Sequence, residues 1–389
     1  MGGGRNAVEV HRPDGVDVPE NSREFLAHHL LLGCVEAQAG QSGYVADRGV
    51  VNHRRRTVAE GQRRGWYGRI VADERELIER IAARVGVRGE VVTGVGDDAA
   101  VLANGMVMAL DMLVDGVHFR RSTHSPADIG HKALAVNLSD IAAMAADPVA
   151  ALIGLGVPPD ITADDVDEMY GAMEKMATQY GFTVAGGDIT DAPVLTLAVT
   201  VTGRMRHGVR PVLRSGARSG DRLVVTGALG GSAAGLLILD DPLLGTGLAE
   251  RDALVDCHRR PTPLLSHGHQ LAECGAGALM DISDGLLLDA GRMARASGVC
   301  AEIDLDAVPR APGLDHVAAA AGLAPDLLAS TGGEDYALLA AIAPGVALPR
   351  DTVVVGRIIE GAPGVIALRG GCDVTPVHLG WEHGHHLGL

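Results

Sequence analysis

Residues 129–157 read IGHKALAVNLSDIAAMAADPVAALIGLGV, and the way this stretch is divided decides the fold. Its length and apolarity suit a bilayer span, but Asp140, Asp147 and Pro148 interrupt it too centrally for a hydrocarbon core. Divided there, it becomes an apolar helix over 129–146 followed by a buried strand over 151–157. Working outward, 107–110 reads as a strand, 163–180 as a helix and 194–202 as a strand, the alternation of an α/β module. Upstream, Leu77, Ile78, Ile81 and Val85 recur at helical spacing from Asp73 until Gly86 stops the pattern.

A break falls at 204–219, where Arg204, Arg206, Arg210, Arg214 and Arg218 cluster among glycine and proline. Beyond it the alternation resumes with a strand over 221–226, a helix over 232–239, a helix closing at 270–274 and further elements to Arg357. Two domains are expected, 71–208 and 209–389. Residues 1–70 differ from both. They hold ten Arg against eight Asp or Glu and lack sustained periodicity, which points to a poorly ordered extension; a short amphipathic helix over 23–37 is the alternative. The closing HGHHLGL reads as a solvated tail.

At 389 residues and 47% hydrophobic, the chain is long enough to bury sizeable cores. Its formal charge of -16 argues against nucleic acid as a partner. Taking the extension's +2 from -16 leaves -18 on residues 71–389, so the acidity belongs to the body. Lys132 and Lys175 are the only lysines, and no Walker lysine is present. The five cysteines are scattered without a Cys-x-x-Cys pair, which suits a reduced, cytoplasmic protein. The apolar stretch 25–35 is broken by His28 and His29 and lacks a basic leader, so neither export nor membrane insertion is expected.

Five segments repeat one theme, an acid beside Gly or Ser at the end of an apolar run: Gly96-Asp97-Asp98, Ser139-Asp140, Gly186-Gly187-Asp188, Asp281-Ile282-Ser283-Asp284-Gly285 and Gly332-Gly333-Glu334-Asp335. Asp111 and Asp115 follow the strand over 107–110. Taken singly, each is an ordinary turn or cap. Converging on one site, so many carboxylates would repel unless cations sat among them, and oxygen-only ligands suit Mg²⁺. The chemistry implied is phosphoryl transfer, with magnesium in place of the missing lysine. A Gly-rich turn, Thr226 to Ser232, follows a strand and opens a helix; it either presents N–H groups to an anion or is a simple tight turn.

The strings GVGDDAAVL (94–102), LDMLVDGVHF (110–119), KALAVNLSDIAAM (132–144), AGGDIT (185–190), RSGARSGD (214–221), DISDGL (281–286) and GGEDY (332–336) resemble the thiamine-monophosphate kinases, in order and spacing, over about residues 72–385. The resemblance implies a two-domain α/β (α+β) fold of the aminoimidazole-ribonucleotide-synthetase-like superfamily. The N-terminal sheet domain would serve for homodimerisation, and ATP and several Mg²⁺ ions would lie in the cleft. The implied reaction moves the γ-phosphate of ATP directly onto thiamine monophosphate, without a covalent intermediate or general base. By the same resemblance, Asp98, Asp111, Asp140, Asp188, Asp281 and Asp284 match metal ligands, with the backbone of Leu110 a further one. Gly187, Asp188, Arg214 and Ser283 match nucleotide contacts, and His118 and Glu334 match substrate contacts; Tyr170 is either a nucleotide contact or core packing, and Trp381 either a contact to the substrate's rings or core packing. The chain departs from the family pattern at Ala109 and Leu110, at Ala337 and at Gly384, positions that bear on the substrate end. The alternatives are another ATP-dependent enzyme of the superfamily and a non-catalytic regulator that binds ATP or thiamine phosphate.

Overall fold

The computed structural model describes residues 74–382; the expected N-terminal extension, its alternative helix and the histidine tail lie outside the described residues. Helix α1 spans Glu74–Arg84 and keeps its apolar positions Leu77, Ile78 and Ile81 exposed. The first half then runs β1 (Val91–Thr93), β2 (Ala100–Leu102), β3 (Met106–Val114), α2 (Pro126–Ala143), β4 (Ala146–Val157), α3 (Ala163–Tyr180), β5 (Thr183–Asp191) and β6 (Thr196–Met205). Its six strands form one sheet in the order β1-β2-β3-β6-β4-β5, antiparallel except where β4 meets β5.

The decisive stretch divides three residues earlier than its composition suggests. A capping box between Ser125 and Asp128, with Pro126 in the first turn, starts α2 upstream of Ile129. Ala145 adopts φ +52°, which ends the helix and lets β4 begin at Ala146. Asp147 and Pro148 therefore lie in the strand, where the pairing with β6 shifts register between Pro148 and Ala150, the kind of irregularity at which proline is tolerated. β3 likewise continues past Leu110 to Val114, so Asp111 sits within a strand. Gly186-Gly187-Asp188 also lies inside a strand, β5.

After residues 206–221 the second half runs β7 (Arg222–Thr226), α4 (Gly231–Asp240), α5 (Arg251–Arg259), α6 (Leu265–Glu273), β8 (Ala278–Ile282), α7 (Leu286–Ser297), β9 (Cys300–Asp304), α8 (Leu314–Ala321), α9 (Pro325–Thr331), β10 (Ala337–Ile342), β11 (Thr352–Ile359), β12 (Gly364–Arg369) and β13 (Cys372–Asp373). Its seven strands order as β13-β12-β9-β11-β7-β10-β8. The two sheets and the helices between them give the mixed α/β architecture that the alternating pattern predicts.

Helix α2 is apolar around its whole circumference because it is covered on both sides. It packs on β3, β4 and β6 of the first sheet and on β8 and β10 of the second, and 14 of its 18 residues are buried. Two glycines permit the close approach: a Cβ at Gly130 would stand 2.2 Å from the Met169 carbonyl of α3, and one at Gly268 of α6 would stand 2.0 Å from the Ala142 carbonyl of α2. Among the described residues, the first sheet is covered on one face only. Val107, Ala109 and Leu113 of β3 are buried beneath α2, whereas Met108, Leu110 and Met112 alternate onto the open face with Leu152 and Ile189. No helix among the described residues is long and apolar enough to cross a membrane.

Candidate active site: a carboxylate cleft between the two sheets

The passage of α2 between the sheets creates a cleft of about 590 Å³, within the usual range for a small-molecule site. Each sheet delivers acids into it. Asp97 and Asp98 come from the turn before β2, Asp111 from β3, Asp140 from α2, Asp281 from β8 and Asp284 from the turn that opens α7. Single carboxylate oxygens of Asp98, Asp140 and Asp281 all lie within 4.8 Å of one another. Asp281 is buried and accepts the Ser139 hydroxyl at 2.7 Å, and the Asp111 N–H donates to Asn137 Oδ1 at 3.0 Å, so α2 fixes both strands.

Charge balance in the cleft is poor. Arg214 donates Nη2 and Nε to Asp98 Oδ1 at 2.6 and 3.1 Å, and its N–H reaches both oxygens of Asp97 at 3.2 Å. Burial, with help from Asp98, pushes Asp97 up to about 6. Burial and the charges of Asp284 and Asp98 push Asp111 up to about 6 as well. Asp140 and Asp281 are held well above the usual carboxylate range, first by burial and then by neighbouring aspartates. Asp98 Oδ2 is a buried oxygen with no hydrogen-bond donor among the described residues. An all-oxygen donor set with one orphaned carboxylate oxygen fits a hard divalent cation and offers nothing to a soft one.

Another part of the lining is built on a salt bridge. Lys132, fully buried on α2, places Nζ 2.9 Å from Glu334 Oε1 and donates to the His118 carbonyl at 2.9 Å. His258 of α5 brings Nδ1 to 3.2 Å from Glu334 Oε2. Although burial opposes ionisation, these two partners hold the Glu334 carboxyl well below its usual range. Glu334 and Tyr336 both take positive φ, +66° and +50°, a cost that their hydrogen bonds to the Ser283 and Ile282 carbonyls help to offset. The Trp381 N–H donates to the Asp284 carbonyl at 2.9 Å, which brings the indole to the rim.

Among the residues singled out from sequence, Asp98, Leu110, Asp111, His118, Asp140, Arg214, Asp281, Ser283, Asp284, Glu334 and Trp381 line this one cleft. Gly187, Asp188 and Tyr170 do not. Asp188 lies on the edge strand β5, and three strand spacings of about 4.8 Å put β5 roughly 14 Å from β3, too far to share an ion with Asp111 in one chain. Gly187 has a packing reason of its own, since a Cβ there would meet the Ile153 carbonyl at 1.9 Å. Tyr170, on α3, packs against the first core. The Gly-rich turn resolves as a tight turn: Asp335 accepts the Gly230 and Ser232 N–H groups at 2.6 and 3.1 Å and fills the place of an anion. Lys132, His258, Asp289 and Arg292 were not marked by sequence. A lysine inside an apolar helix was a usable signal, because such a charge must find a partner. Asp289 and Arg292 on α7 look like any surface pair until the fold is known.

Residues 96–205 match the family described as AIR synthase related protein, N-terminal domain, and residues 218–361 match the corresponding C-terminal domain. A thiamine-monophosphate kinase of Mycobacterium tuberculosis is 37% identical over 296 residues, 75% of this chain and 86% of that one. The chain belongs to the thiamine-monophosphate kinase family. Another member, from Salmonella typhimurium, is 36% identical over 325 residues, 80% of this chain and 98% of its own. A solved structure described as "AaThiL complexed with AMPPCP and TMP" superposes with a TM-score of 0.71 at 32% identity, covering 82% of this chain and 100% of that one.

Proposed function

We propose that this chain transfers the γ-phosphate of ATP to the phosphate of thiamine monophosphate, giving thiamine diphosphate and ADP. One observation carries the proposal: a largely buried all-oxygen carboxylate cluster, with an Asp98 oxygen that has no donor among the described residues, shares a cleft with an ionised, rigidly held Glu334. The cluster suits a cation-masked polyphosphate, and Glu334 suits a cationic ring such as a thiazolium. Asp98, Asp111, Asp140, Asp281 and Asp284 would hold several Mg²⁺ ions, with the Leu110 carbonyl a further donor. Bound there, the metal neutralises polyphosphate charge that the chain's scarce lysines cannot.

The protein's own groups then have defined work. Arg214, locked onto Asp98 through Nε and Nη2, would present its remaining amino group to phosphate oxygens, and Ser283 lines the same cleft. His118, Glu334 and Trp381 hold the acceptor's ring end. The attacking phosphate oxygen is already anionic near neutral pH, so no side chain need take a proton. As its bond to the γ-phosphorus forms, the bond from that phosphorus to the β–γ bridging oxygen breaks, and the electron pair leaves with ADP. Orienting two anions in line is worth roughly 7–11 kcal/mol of barrier.

The open apolar face of the first sheet supports a homodimer. Gly187 and Asp188 stand on the edge strand of that sheet, so their assignment to nucleotide and metal requires the partner's cleft. The test is to incubate the protein with ATP, Mg²⁺ and thiamine monophosphate and measure thiamine diphosphate against ADP. Equimolar products are expected; ATP binding without turnover would overturn the proposal and favour a regulator.

A further inference from the structure

Two arginines are anchored among the cleft carboxylates, and they differ in what they keep free. Arg214 commits Nε and Nη2 to Asp98. Arg292, on α7, commits Nη1 alone, which bridges Asp284 Oδ2 and Asp289 Oδ1, the latter at 2.8 Å. Asp289 is fully buried, and its other oxygen accepts the Asp284 N–H at 3.0 Å, so the carboxylate gripping Arg292 is itself fixed. Nε and Nη2 of Arg292 have no hydrogen-bond partner among the described residues, and the side chain lines the cleft. The Trp381 N–H bonds the carbonyl of Asp284, so the aromatic rim and Arg292 are tied to the same turn.

We propose that Arg292 binds the phosphate of the acceptor, using Nε and Nη2 as a preset fork. The assignment rests on the function proposed above. An acceptor that carries aromatic rings on one side and a phosphate on the other would lay its rings against Trp381. Its phosphate would then reach the Asp284 turn, where Arg292 lines the cleft and keeps Nε and Nη2 without a hydrogen-bond partner among the described residues. The guanidinium geometry matches two phosphate oxygens, and with Nη1 already clamped little rotamer freedom is lost on binding. Arg214 is thereby left to the nucleotide.

The test compares full-length wild type with Arg292→Gln and Arg292→Lys. Thiamine monophosphate binding is measured by calorimetry in Mg²⁺ without nucleotide, and KM for each substrate is measured in the full reaction. Arg292→Gln should weaken thiamine monophosphate binding at least about tenfold, the loss expected for charged hydrogen bonds. KM for ATP should stay within about twofold. Arg292→Lys, which keeps the charge beside Asp284 and Asp289 but loses the fork, should recover only part of the affinity, and it decides the matter if the glutamine variant does not fold. Unchanged acceptor binding in the lysine variant, or a loss confined to ATP, would overturn the assignment of Arg292 alone. Wild-type protein that neither binds nor phosphorylates thiamine monophosphate would instead overturn the functional reading beneath it.

Discussion

Lys132 Nζ lies 2.9 Å from Glu334 Oε1, joining a helix of the first half to a loop of the second through a fully buried lysine. The pair lines the cleft and couples the two halves of the chain. Lys132 is fully buried but Glu334 is partly exposed, so Lys132→Met should cost about 2 kcal/mol in urea unfolding, between the values of a surface and a fully buried pair. A loss below about 1 kcal/mol, the value of a surface pair, would show that the bridge is dispensable.

Asp140 stands in the opposite situation, a half-buried carboxylate set among carboxylates. Asp140→Asn removes repulsion, so in the absence of metal its Tm should rise while turnover falls by at least about a hundredfold. Near-wild-type activity at saturating Mg²⁺ would end its candidacy as a ligand.

The raised carboxyls make metal binding pH-dependent, and the sign follows from linkage. Asp97 and Asp111 are pushed up to about 6, above their unfolded value, and Asp140 and Asp281 also lie well above it. Without metal, the folded protein binds more protons than the unfolded chain in this window. The cluster's contribution is therefore most favourable below the unfolded pKa and is lost as pH rises through the folded one. Mg²⁺ needs the deprotonated form, so its stabilising effect on Tm should be larger at about pH 8 than at about pH 5, with protons released on binding. Equal Tm shifts at both pH values would contradict the cluster's role.

Leu152 projects from the open face of the first sheet and is 52% exposed. Leu152→Arg puts a charge where a second copy would bury apolar surface, and sedimentation should show half the wild-type mass. A wild-type protein that already sediments as a monomer would rule the interface out.

The sequence by itself determined a good deal. Periodicity and interrupting polar residues identified most major elements, and the repeated acid-glycine segments marked the chemistry, because metal and phosphate restrict residue choice locally. Boundaries moved where local chemistry outweighed composition, as at the Ser125 capping box and the turn at Ala145. Grouping was decided only in three dimensions. Asp98, Asp140 and Asp281 share one point because α2 is enclosed by both sheets, whereas Asp188 carries a similar motif on the edge strand β5, about 14 Å from β3, and does not line the cleft. The Gly-rich turn looked available to a phosphate until Asp335, 103 positions from Ser232, proved to occupy it. Arg292 became visible only when its partners and its free nitrogens could be counted. A residue's chemistry is written locally, but its partners come from distant parts of the chain, and pairing or isolation sets what that chemistry does.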